Sequence, residues 1–135
     1  MSHITPFKER LENITSVSRF VRGYAGKPTE VVAEGDMIFT IPSQYGGKTI
    51  RIKNVLWAPQ ANSTLISLGR LDDAGWKYIG GSGKLTLFNR TNDIITRIPK
   101  KDGLYKITHD FAGTIDANSM SLSLYEIHVL LGHVS

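Results

Sequence analysis

Apolar and polar positions alternate with a period of two over much of the chain. Met37, Phe39 and Ile41 alternate with Ile38, Thr40 and Pro42. This is the pattern of a strand that Pro42 ends, because proline has no N–H to give to a ladder. Gln44-Tyr45-Gly46-Gly47 supplies a turn, since Gly-Gly takes the positive φ that a hairpin needs, and Ile50 and Ile52 then alternate with Thr49, Arg51 and Lys53. The span 36–56 is therefore predicted to be a hairpin. Further strands are expected over 17–22, 31–34, 76–79, 84–88, 94–98 and 104–108, separated by Gly80-Gly81-Ser82-Gly83 and by turn residues in 89–92 and 100–103. Short strands interrupted this often predict a mainly β domain, a small barrel or sandwich.

Two segments depart from the alternation. Leu65, Leu68 and Leu71 recur every third residue ahead of Ala74-Gly75, which predicts one short helix closed by Gly75. Ser123-x-x-Glu126 has the form of a capping box, and Leu124, Ile127 and Leu131 continue one face, which predicts a C-terminal helical tail over 122–135. The stretch 111–121 is poor in apolar residues and reads as a linker, leaving 1–110 as the β domain.

Composition narrows the class. With 135 residues, 41% of them hydrophobic and 21% charged, the chain has room for one domain with a buried core. It contains no Cys, which excludes a disulfide scaffold, a thiol nucleophile and any Cys-ligated metal site within this chain. No apolar run approaches the roughly 18–20 residues of a membrane span, so no membrane partner is expected. The first residues show no basic region followed by an apolar one, so no signal peptide is visible and an intracellular location is the default expectation. The net charge of +4 raises nucleic acid as a partner. Yet Arg97, Lys100 and Lys101 run straight into Asp102, and no basic block interleaves with aromatics as a single-strand groove requires. Solvated faces are the stronger reading of the charge and nucleic-acid binding the weaker.

Familiar catalytic patterns each meet a plainer explanation. Asp72 and Asp73 are adjacent, so on a helix they diverge and cannot form an acid–base pair. Glu34 and Asp36 flank Gly35 in what reads as a surface turn, and Gly80-Gly81-Ser82-Gly83 lacks the Lys-Ser/Thr and helix of a phosphate loop. His128 and His133 could face one metal from a helix, but zinc takes four ligands and His3 and His109 lie far off in sequence. No catalytic, cofactor-binding or metal residue is assigned on this basis, and no cofactor is expected.

The order of several short motifs resembles the protease-to-integrase segment of a copia-type LTR-retrotransposon Pol polyprotein. Ser2-His3-Ile4-Thr5 is similar to the Ser-His-Met/Ile-Thr that follows the catalytic Asp-Ser-Gly-Ala of that family. Lys53-Asn54-Val55-Leu56-Trp57-Ala58-Pro59 resembles its Lys-Asp-Val-Leu-Tyr-Val-Pro, and the stretch from Asn62 to Leu71 resembles its Asn-Asn-Leu-Leu-Ser-Val-Gly-Gln-Leu, with Ala74-Gly75-Trp76 following as its Gly-Tyr step does. Asp102-Gly103-Leu104-Tyr105 and the closing run from Ile127 to Ser135 match its Asn-Gly-Leu-Tyr and the start of its pre-integrase region.

This resemblance implies a small closed retropepsin-like β-barrel, in which each of two protomers contributes one catalytic Asp to a pair of carboxylates sharing a proton. It also implies that His128 and His133 are half of a zinc site completed by two later cysteines, and it makes a homodimer or capture of another protein chain the expected partnership. A flap-like hairpin is expected over about 31–41. None of Asp36, Asp72, Asp73, Asp93, Asp102, Asp110 or Asp116 is followed by Ser/Thr-Gly, so no residue is carried over as catalytic. The leading expectation is a catalytically incomplete, retropepsin-like protein acting through binding, as a domesticated element or a secreted effector. The alternatives are an aspartic protease fragment whose Asp-Ser-Gly lies upstream, and a nucleic-acid-binding fragment.

Overall fold

In the computed structural model, residues 2–22, 28–101, 104–109 and 125–130 are described. They form ten strands and one short helix: β1 (His3–Thr5), β2 (Leu11–Arg22), β3 (Pro28–Thr40), β4 (Thr49–Trp57), β5 (Thr64–Ser67), α1 (Leu68–Asp73), β6 (Lys77–Gly81), β7 (Lys84–Phe88), β8 (Ile94–Lys101), β9 (Leu104–His109) and β10 (Tyr125–Leu130). All ten belong to one sheet in the order β2-β3-β4-β1-β5-β10-β9-β8-β7-β6.

The alternation read from the sequence places the core. Along β3 the burial alternates, with Val31, Ala33, Met37 and Phe39 buried, and Ile41 just beyond it is buried as well. Met37, Phe39 and Ile41 pack with Ile52 and Val55 of β4, Leu85 and Leu87 of β7, and Ile95 and Ile98 of β8, and Val31 packs with Leu56 and Leu65 in a second, smaller cluster. Each such side chain contributes about 1.5–3 kcal/mol by leaving water. The expected β3–β4 hairpin is present, Thr40 facing Thr49. Between β6 and β7, Ser82 and Gly83 both take positive φ and join the pair Gly81 and Lys84, a tight type I′ connection.

The short helix starts later than its leucine spacing predicts, because Leu65 belongs to β5. Ser67 caps it, its Oγ accepting the Arg70 N–H at 3.2 Å, and Gly75 at φ +92° ends the turn that follows.

Three expectations are corrected. First, the sheet is not a closed barrel: among the described residues no ladder joins β2 to β6. β6 is only five residues long, and two register shifts bend β2, so the two edges offer no matching rows of backbone groups. Second, the C-terminal helical tail is replaced, over Tyr125–Leu130, by strand β10. This strand lies parallel to β5 and antiparallel to β9 and satisfies the backbone groups of both, a tertiary demand that outweighs an ambiguous local pattern. Third, the span 31–41 is not a flap-like hairpin but one continuous strand, with Glu34, Gly35 and Asp36 inside it rather than in a turn. The long hairpin is β2–β3 instead. The linker expected over 111–121 lies outside the described residues.

Candidate functional site

Strand β1 is three residues long and sits between β4 and β5, all three of its side chains buried. Its first residue, His3, is only 4% exposed, and its Nδ1 accepts the Ser67 N–H at 2.9 Å. Burial, and secondarily the nearby Arg70 guanidinium, lower its pKa from 6.5 to about 4, so the ring is neutral at pH 7. Since Nδ1 accepts, the neutral ring carries its proton on Nε2.

That ring lines a cleft of about 350 Å³. On one side β4 contributes Arg51, Lys53 and Asn54, where Gly35 pairs with Val55 but Met37 pairs with Ile52. Two residues of β4 thus oppose one of β3, a bulge in which Asn54 takes φ +60°. On the other side stand Arg70 and Asp73 of α1, with Trp76 beyond it. Arg90 reaches the cleft from the β7–β8 turn, where the Asn89 side chain accepts the N–H groups of Thr91 and Asp93 at 3.0 and 2.9 Å. Thr91 Oγ1 lies 2.8 Å from Asp93 Oδ2, and this hydroxyl and Asn89 hold the Asp93 carboxyl below the ordinary range.

The charges of the cleft are unevenly matched. Arg51 pairs with Glu12 and Asp36, both at 3.2 Å, across three adjacent strands. Lys53, Arg70 and Arg90 are exposed and make no ion pair among the described residues, and Asp73 is the cleft's only carboxylate among them.

The residues singled out from sequence are mostly scattered. Asp72 and Asp73 are exposed at the end of α1. Of Gly80-Gly81-Ser82-Gly83, the first two end β6 and Ser82-Gly83 makes the hairpin turn. His128 lies half-buried on β10, beside Leu65 of β5 and Lys106 of β9, while His133 lies outside the described residues. No group of three or more His, Cys, Asp or Glu gathers among the described residues in a metal-like cluster. The basic cleft itself is invisible to a scan for charge runs, because its cations come from positions 51–53, 70 and 90. The pair Ala74-Gly75 ahead of Trp76 was the one local signal there.

A second surface lies at the end of the sheet. All five residues of β6 are exposed, and Tyr78 and Ile79, with Phe88 of the paired strand β7, line a groove of about 630 Å³. No helix among the described residues is long and apolar enough to cross a membrane.

Residues 1–76 match the family described as Pol polyprotein, beta-barrel domain, which covers more than half of the chain. No curated protein and no solved structure matches it.

Proposed function

The chain belongs to the Pol polyprotein beta-barrel domain family and derives from a retroelement, and we propose that it is a catalytically incomplete, retropepsin-like product of a copia-type element that acts by binding protein, with a second copy of itself as the partner. The observation that carries this reading is the free edge of β6. Ile79 is 64% exposed and Tyr78 39%, and the β6–β7 ladder runs without a register shift. An edge that exposes Tyr78 and Ile79 and has no partner strand among the described residues is a template for another strand. The opposite edge is blunted: β2 carries two register shifts, and its Glu12 and Arg19 are held in ion pairs.

Two copies of β6 meeting antiparallel would place the same residues against each other about a two-fold axis, the self-complementary arrangement of a cyclic dimer. The non-catalytic part of the reading rests on the sequence, in which no Asp precedes Ser-Gly or Thr-Gly.

Light scattering on the full chain tests it. The expected mass is twice that of one chain, and Ile79→Lys should halve it while leaving the far-ultraviolet spectrum unchanged. A wild-type chain that stays monomeric at every concentration, or a dimer indifferent to Ile79→Lys, overturns the edge-pairing reading. Pepstatin-sensitive cleavage of a peptide at acidic pH overturns the non-catalytic one.

A further inference from the structure

The cleft between β4, α1 and the β7–β8 turn has a composition that edge pairing does not use. Three exposed cations from three separate elements, Lys53, Arg70 and Arg90, line it and make no ion pair among the described residues, against the single carboxylate of Asp73. The β4 bulge, with Asn54 in the left-handed region, lies at the same rim. Trp76 is half-buried, packed on one side against the core, and its remaining surface lines the same space. The other tryptophan is already engaged: Trp57 donates from Nε1 to the Pro6 carbonyl at 3.2 Å and carries the Lys8 ammonium 5.1 Å from its ring centre.

Gly75 ties the basic and aromatic parts together. A Cβ built at Gly75 would lie 3.0 Å from both Cγ and Cδ of Arg90, so the aliphatic stem of Arg90 lies directly over the glycine beside Trp76. The absence of a side chain at position 75 is what lets a cation and an aromatic share one wall. Below them His3, itself buried, lines the cleft as a neutral ring whose proton is on Nε2.

We propose that this cleft binds single-stranded nucleic acid, with one base stacked on Trp76 and the flanking phosphates held by Lys53, Arg70 and Arg90. Cations alone would take any polyanion. A partly exposed indole among them selects a ligand that alternates flat apolar faces with negative charge, which is the repeat of a nucleic-acid strand. The volume, about 350 Å³, falls in the range of sites that enclose one small molecular unit. A duplex hides its bases from an indole, so the preferred ligand is unpaired. This proposal is independent of β6 edge pairing, since no residue of β6 lines the cleft.

The test is fluorescence anisotropy of the full chain with a fluorescein-labelled oligothymidylate, its unlabelled duplex counterpart, inorganic phosphate and an oligoglutamate peptide of equal charge as competitors. The strand should bind at low salt and quench tryptophan emission, and Trp76→Leu should remove most of the quenching. With three phosphate contacts on a single strand, affinity should fall about 18-fold between 50 and 200 mM salt. Arg70→Gln combined with Arg90→Gln, both exposed positions, should weaken binding at least tenfold and cut the salt dependence to about one third. Lys84→Gln, on β7 away from the cleft, should change it less than twofold. The proposal is overturned by undetectable binding at low salt, by oligoglutamate or duplex competing as well as the strand, or by a double variant that binds like wild type while melting at the same temperature.

Discussion

The backbone N–H of Ser67 donates to Nδ1 of His3 across a 2.9 Å bond that spans 64 positions of sequence. It joins the first strand to the residue that caps α1, so the central strand and the helix are fixed by one buried imidazole. Only the unprotonated nitrogen can accept, so protonating the ring both breaks this bond and buries a charge beside Arg70.

Stability should therefore fall in mild acid. The folded-state pKa of His3 is lowered from 6.5 to about 4, so between those values the unfolded chain binds the proton and the folded chain does not. The contribution is complete above pH 6.5 and is lost as the pH drops toward 4, by about 3 kcal/mol at most. Thermal melts at pH 7 and pH 5 should show this drop in the wild type. His3→Asn keeps an acceptor for Ser67 but cannot titrate, and its melting temperature should fall less over the same interval. Equal drops in both proteins would place the acid sensitivity elsewhere.

A second buried contact joins β1 to β5. Thr5 and Thr64 are almost fully buried, their hydroxyl oxygens 2.8 Å apart, and Thr5 Oγ1 also accepts the Phe7 N–H at 3.2 Å. Thr5→Val leaves the Thr64 hydroxyl and the Phe7 amide without this partner and should cost about 1–3 kcal/mol. Thr64→Val removes one bond only. The double variant should be less destabilised than the sum of the two, because the second substitution removes a group the first had orphaned. Urea denaturation of the four proteins measures the coupling, and simple additivity would mean that the hydroxyls do not interact.

What was legible in the sequence was whatever repeats locally. Met37, Phe39 and Ile41 announce their strand because a period of two needs only neighbours to read it, and the hairpin turn at Ser82-Gly83 follows from the φ that glycine allows. The stretch around Ile127 and Val129 supports two periods about equally, and the choice between them is made by β5 and β9, some sixty and twenty residues away. The cleft was hidden for the same reason. Arg51, Arg70 and Arg90 stand about twenty positions apart in sequence, and only the folding of β4, α1 and the β7–β8 turn brings them to one cleft. His3 looked like an isolated histidine because its partner is Ser67.

Gly35 marks a place where two strands approach unusually closely. A Cβ there would lie 2.7 Å from the Glu12 carbonyl oxygen and 3.3 Å from the Leu11 Cβ. The obstacle is backbone, so it cannot swing aside as a long side chain would. Gly35→Ala should push β2 from β3 and cost about 1–3 kcal/mol, despite the better intrinsic strand and helix propensity of alanine. Hydrogen exchange should show the loss first in the amides of 11–16 and 33–37. An alanine variant as stable as wild type would show that β2 gives way freely at this point.

The position of β10 carries the β sheet past residue 110 to Tyr125–Leu130. A β domain ending at residue 110 would leave β5 and β9 with no strand between them, since both of their ladders on that side run through Tyr125–Leu130. It would also remove Val129, 3% exposed, from a core cluster that includes Ile66 and Ile107. Unpaired interior backbone and a missing core side chain both act in the same direction. A chain cut after His109 should therefore unfold without a cooperative transition or associate through the two unpaired strands. The full-length Val129→Ala variant should still unfold cooperatively, about 2 kcal/mol less stable. Comparing the two by circular dichroism and light scattering separates the contribution of one side chain from that of the whole strand. If the shortened chain melts as sharply and at the same temperature as the full one, β10 is an accessory strand and the sheet is held together without it.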